Sequence, residues 1–172
     1  MGRSHRNGAA DPDQLAGTSH HRIPAPLTTG HGHVVDPRVA ADTSVVVAAF
    51  STWHEFHSVA RGICESKPAL PIHAALEVYS VLTRMPDPFR APAQVVAQYL
   101  ALEWEQRLIL PSQESIAALP ARCSNAGITG GSIYDVLIGV TAADNACQLV
   151  TLDRRAMLNV MALGVDARLL VP

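Results

Sequence analysis

Four acidic residues stand where carboxylates could act together: Asp42, Glu77, Asp135 and Asp153. Asp42 closes the apolar run Val39-Ala40-Ala41, and Asp153 closes Leu149-Val150-Thr151-Leu152. Glu77 falls in the first turns of a helical pattern after Ile72, and Asp135 in the first turn after Gly130-Gly131-Ser132. Carboxylates forced together repel and hold their protons more tightly, so a cluster without Arg or Lys partners needs a hard divalent cation to neutralise it. Mg²⁺ or Mn²⁺ is the natural occupant. Such ions take oxygen ligands, keep several waters and leave positions open for phosphate oxygens, which suits phosphodiester hydrolysis.

The elements that must position these acids can be read from the pattern. From Pro37 onward, short apolar runs at 38–41, 69–72, 107–110, 148–152 and 167–171 alternate with helix-period segments at 43–50, 54–65, 73–84, 91–105, 113–122, 132–145 and 155–163. That alternation predicts an α/β fold with a central, mostly parallel sheet. All strands of such a sheet end toward one edge, where the following helices begin and where ligands bind. Two strand ends and two helix starts therefore deliver the four acids to one place.

Each acid also has a structural reading. Asp42 could cap the helix that starts at Thr43, and Ser132-x-x-Asp135 has the form of a capping box. Glu77 could face water or pair with Arg84, and Asp153 could pair with Arg154 or Arg155. The coincidence of all four at one edge favours the site.

Other candidates are weaker. Trp53, His54 and His57 open the second helical segment, where a histidine could serve as a base or an RNA contact, but they are read as surface or partner-packing residues; His73, one turn before Glu77, could touch the site edge and is read as a structural histidine. Gly130-Gly131 could cradle a phosphate at a helix start. The chain has no G-x-x-x-x-G-K-[ST], G-x-G-x-x-G or G-x-S-x-G pattern. Pro111 and Pro120 are read as flanking the 113–122 helix.

At 172 residues with 48% hydrophobic content, the chain suits one domain with a tail. A net charge of −2 and the lone Lys67 argue against a broad basic surface for nucleic acid, so any such contact must be local or made through metal ions. Cys64, Cys123 and Cys147 form no C-x-x-C pair, which suggests neither a disulfide framework nor a thiolate zinc site and fits a reducing cytoplasm. No run approaches the roughly 18 apolar residues of a membrane span, and no membrane partner is expected. Residues 1–36, rich in Gly, Pro, Ser, Thr and His, read as a disordered leader or as sequence upstream of a later start near Val34 or Val35, with the domain at 37–172. His5, His20, His21, His31 and His33 lie there without acidic or thiol partners, which disfavours metal binding.

The motifs Ala41-Asp42-Thr43-Ser44-Val45, Ala75-Leu76-Glu77-Val78, Ile133-Tyr134-Asp135-Val136 and Leu149-Val150-Thr151-Leu152-Asp153-Arg154-Arg155, in that order, resemble the PIN domain. The resemblance is to the VapC toxins of bacterial toxin–antitoxin pairs in particular. It implies a three-layer α/β/α fold and a Mg²⁺- or Mn²⁺-dependent endoribonuclease. Asp42 and Asp135 would be the direct ligands, with Glu77 completing the cluster and Asp153 supporting it through water. Ser44 would bond a site carboxylate or a substrate phosphate. Where many members carry an acid or Asn, this chain has Arg155, which with Arg154 would meet RNA phosphates. The resemblance further implies cleavage of structured RNA (tRNA or rRNA) that inhibits translation, a homodimer, and a VapB-type antitoxin whose C-terminal segment enters the acidic groove. A housekeeping RNA-processing nuclease and a non-catalytic RNA- or protein-binding scaffold are the alternatives.

Overall fold

The computed structural model describes residues 38–171. The readings made for residues 1–36, the leader with its histidines and the later start, lie outside the described residues.

The elements run β1 (Arg38–Ala41), α1 (Thr43–Phe50), α2 (His57–Glu65), β2 (Leu70–Pro71), α3 (Ile72–Arg84), α4 (Ala93–Trp104), β3 (Leu108–Ile109), α5 (Gln113–Asn125), α6 (Ser132–Asp144), β4 (Cys147–Thr151), α7 (Arg154–Met161) and β5 (Ala167–Leu169). Every strand pairing is parallel: β4 lies between β1 and β5, and β2 pairs with β3. A bridge between Ala40 and Ala69 joins the two groups through Ala69 N–H to Val39 O and Ala41 N–H to Ala69 O, each 2.9 Å. The order across the molecule is therefore β3-β2-β1-β4-β5.

This order fixes the layers. The path steps from β1 to β2 to β3 in one direction and then returns through β4 to β5. With right-handed crossovers, α1–α4 cover one face and α5–α7 the other. The packing agrees: α1 lies on α2 and α3, α3 on α4, α6 on α5 and α7. The reversal between β1 and β4 opens a crevice at their carboxyl ends.

Local sequence explains the details. Helix α1 buries Val45, Val46, Val47, Ala48 and Ala49. Its β-branched residues are poor intrinsic helix formers, so burial rather than propensity holds it. Strand β2 is only two residues long, shorter than the predicted 69–72, because Pro71 has no N–H for the ladder and itself caps α3. Helix α2 starts at His57 rather than His54, since residues 51–56 turn on hydrogen bonds such as His54 N–H to Ser51 O at 2.9 Å. Pro120 lies inside α5 rather than flanking it. At an exposed site its missing hydrogen bond leaves a carbonyl that water can serve, and the helix continues to Asn125. Gly139 lets α6 meet α7, for a Cβ there would stand 2.5 Å from Val160 Cγ1.

Candidate metal centre

Asp42 follows β1 directly, and its N–H still reaches Val150 O at 2.9 Å, so the β1–β4 ladder sets its position. It is 6% exposed. Its Oδ2 accepts two hydroxyl hydrogen bonds, from Thr151 at 2.6 Å and from Ser44 at 2.7 Å. Those hydroxyls are themselves oriented: Ser44 Oγ accepts from Leu152 N–H at 3.0 Å, and Thr151 Oγ1 from Asp153 N–H at 2.9 Å. Two backbone donors at the end of β4 are thus relayed through two hydroxyls onto one carboxylate oxygen. Burial pushes the Asp42 carboxyl above its ordinary range, the Thr151 and Ser44 hydroxyls pull it back, and Glu77 adds a smaller upward push.

Glu77, half-buried on the second turn of α3, accepts from Thr43 Oγ1 at 2.7 Å. No ion pair with Arg84 forms among the described residues. Asp135 lies in the first turn of α6, whose N-cap Gly131 makes no side-chain cap, so the Ser132-x-x-Asp135 capping box does not close. Burial first, then the charges of Asp42, Glu77 and Asp153, push the Asp135 carboxyl up to about 6, with Arg155 opposing. Asp153 does cap a helix: its Oδ1 accepts from Arg155 N–H at 2.7 Å and Ala156 N–H at 3.0 Å. One oxygen of Asp153 is thus engaged in starting α7, and no ion pair with Arg154 or Arg155 forms among the described residues.

All four acids line one cavity of about 500 Å³, together with Thr43, Ser44, His54 and Arg154. Arg155 is not among its lining residues; its Nη2 reaches Ser132 Oγ at 3.4 Å, tying α7 to the start of α6. His57 is held by Ala48 O, 3.0 Å from its Nδ1, and His73 stacks on Tyr134 with ring centroids 5.1 Å apart. A larger recess of about 680 Å³, lined by Arg61, Cys64, Tyr99 and Arg107 among others, has its Glu65 paired with Arg61. The carboxylate chemistry therefore belongs to the smaller cavity.

The donor set fits a hard divalent cation. It is all oxygen, burial and then the charges of Asp42, Glu77 and Asp153 push the Asp135 carboxyl up to about 6, and among the described residues neither Arg154 nor Arg155 forms an ion pair with any of the four acids. As the side chains stand, no three His, Cys, Asp or Glu residues among those described are gathered into a closed metal site. A divalent cation bound there would neutralise the carboxylates that line the cavity.

Two residues here lie beyond the sequence reading: Thr43, which bonds Glu77, and Thr151, which bonds Asp42. A hydroxyl inside the otherwise apolar run Leu149-Val150-Thr151-Leu152 is the available signal for Thr151. His54, read from sequence as a surface residue with a base or RNA contact as the alternative, lines the cavity, a place that depends on how residues 51–56 turn.

Comparison with known proteins gives a consistent picture. The PIN domain family model matches residues 39–162. Ribonuclease VapC40 of Mycobacterium tuberculosis is 39% identical over 131 residues, covering 76% of this chain and 98% of that protein. Ribonuclease VapC27 of the same organism is 35% identical over 130 residues, covering 75% and 94%. Among solved structures, FitAcB from Neisseria gonorrhoeae superposes with a TM-score of 0.56 at 14% identity, covering 75% of this chain and 95% of that one. VapBC2 from Rickettsia felis, bound to a promoter DNA fragment, gives 0.55 at 14%, covering 77% and 98%. At that identity the structures speak for the fold alone, but the family match spans the whole carboxylate site, and the chain belongs to the PIN domain family, among its VapC-type members.

Proposed function

We propose that this protein is a Mg²⁺-dependent endoribonuclease, the toxin of a toxin–antitoxin pair, which cleaves structured RNA such as tRNA or rRNA and so inhibits translation. The observation that carries the reading is the single cavity lined by Asp42, Glu77, Asp135 and Asp153, where burial first, and then the neighbouring carboxylates, push the Asp135 carboxyl up to about 6. The names of the two mycobacterial relatives support the ribonuclease part. A bound Mg²⁺ or Mn²⁺ would supply charge neutralisation and an activated water for in-line attack on the phosphodiester.

The chain's own residues have separable roles in this reading. Asp42 and Asp135 hold the cation directly, and Glu77 completes the set, steadied by Thr43. Asp153 supports the site through water, since one of its oxygens already caps α7. Ser44 positions Asp42 and does not reach for phosphate, because its hydroxyl is engaged on both sides. Arg154, which lines the cavity, contacts an RNA phosphate, and Arg155 offsets the charge of Asp135 from the rim.

The partners follow from the same reading: a second copy of the chain, and a VapB-type antitoxin whose terminal segment occupies the acidic cavity. Asp42→Asn and Asp135→Asn are each expected to abolish Mg²⁺-dependent cleavage while leaving the far-ultraviolet circular dichroism nearly unchanged. Cleavage that survives either substitution would show that the site lies elsewhere.

A further inference from the structure

The cavity does not end at the carboxylates. Val47 and Val81 continue its walls, each four residues on from Thr43 and Glu77 and so on the same faces of α1 and α3, and His54 also lines it. The recess thus runs from the acids, between α1 and α3, to the α1–α2 connector. There the His54 ring is held by Phe56 N–H, which donates to Nδ1 at 3.2 Å and leaves Nε2 as the donor of the neutral ring. Beside it Trp53 is 50% exposed, its ring centroid 5.8 Å from that of His54 and 4.5 Å from that of Phe89, itself 44% exposed.

Two large aromatic rings left half in water, one of them beside His54 on the wall of the acidic recess, bear on how RNA could be held. With a net charge of −2 and Arg154 as the arginine on the cavity wall, phosphate neutralisation within this recess is confined to a local contact. Stacking of bases on aromatic side chains needs no such charge and acts on any unpaired base. Trp53 and Phe89 do not themselves line the recess; Trp53 meets it through the ring of His54, which does, and Phe89 packs on Trp53.

Resting on the nuclease reading above, we infer that Trp53, braced by Phe89 and flanked by the His54 donor, is a base-stacking subsite that holds an unpaired nucleotide beside the scissile phosphate. The substrate is then cut in a loop, bulge or single-stranded end, where a base can be splayed out, and not within a duplex.

The test reads binding, not cleavage. Asp42→Asn protein is titrated with an oligoadenylate octamer and with an abasic ribose-phosphate octamer of equal charge, following tryptophan emission. The oligoadenylate is expected to quench Trp53 and to bind about 10-fold more tightly than the abasic octamer. Trp53→Phe in that background should lose most of the quench, which buried Trp104 cannot supply. Phe89→Ala and Trp53→Ala should each weaken oligoadenylate binding about 10-fold, measured by fluorescence anisotropy, with unchanged circular dichroism. Equal binding of the two octamers, no binding of either, or unaltered affinity in Trp53→Ala would overturn the inference. So would a Trp53→Ala protein that binds RNA normally but no longer binds a protein partner, which would give the patch to that partner. The nuclease reading fails separately, if the wild-type protein cuts no RNA with Mg²⁺.

Discussion

At Asp42 burial and hydrogen bonding pull in opposite directions: burial favours the protonated acid, and the Thr151 and Ser44 hydroxyls favour the ion. Thr151 is 0% exposed and makes the shorter of the two bonds, so it is the residue to change. Thr151→Val keeps the shape and removes the hydroxyl, leaving Asp153 N–H without its acceptor and Asp42 with one donor fewer. A loss of about 1–3 kcal/mol in chemical denaturation is expected, with weaker Mn²⁺ binding by calorimetry and recovery of both in Thr151→Ser. Asp135 supplies a pH prediction. Its folded value of about 6 lies above the ordinary 3.8, so between the two the metal-free fold binds a proton that the unfolded chain has lost. Its burden on stability is absent below about pH 4, grows as the pH rises, and is complete above about 6. A cation takes the place of that proton. The rise in melting temperature on adding Mg²⁺ should therefore be larger at pH 7.5 than at pH 5; an equal rise at both would remove Asp135 from the ligand set.

Among the elements, α6 carries Asp135 and rests on α7 through Gly139. Gly139→Ala sets two effects against each other. Alanine is favoured over glycine in a helix by about 1 kcal/mol, but its Cβ would stand 2.5 Å from Val160 Cγ1 and 2.8 Å from Val160 Cβ. A β-branched valine in the core cannot swing away, so overpacking should win, with a net loss of about 1–2 kcal/mol read from urea denaturation. A neutral or stabilising result would mean that α6 and α7 slide apart easily, and Asp135 would then be loosely held. The most legible helices were α3 and α6, where Ala74, Val78, Val81 and Leu82, and Ile133, Val136, Leu137 and Val140, recur at helical spacing. The edge strands were legible only as apolar runs: Pro71 cuts β2 short, and β3 reaches only Leu108–Ile109. The start of α2 and the passage of α5 through Pro120 depend on turn hydrogen bonds and exposure, which composition does not encode.

For the molecule as a whole, the acids were readable because strand ends and helix starts share one edge in any parallel α/β sheet. The strand order was not, since apolar runs say that strands pair but not with which neighbour. It is that order, with β4 beside β1, that brings Thr151 to Asp42 from 109 residues away. If the toxin reading is right, induced expression should arrest bacterial growth, co-expression of the antitoxin should relieve the arrest, and Asp42→Asn should be harmless at equal protein level. Growth unaffected by the wild-type chain would favour a housekeeping nuclease. The relay from the end of β4 through Ser44 and Thr151 to Asp42 also has a consequence in time. Synthesis delivers Asp42, Ser44 and Glu77 first, and Thr151 emerges 109 residues after Asp42, with the Leu152 N–H and Asp153 following it. A chain still on the ribosome and shorter than that has one acid missing and another unsupported. On the function proposed above, the carboxylate site is therefore incomplete while the chain is being made.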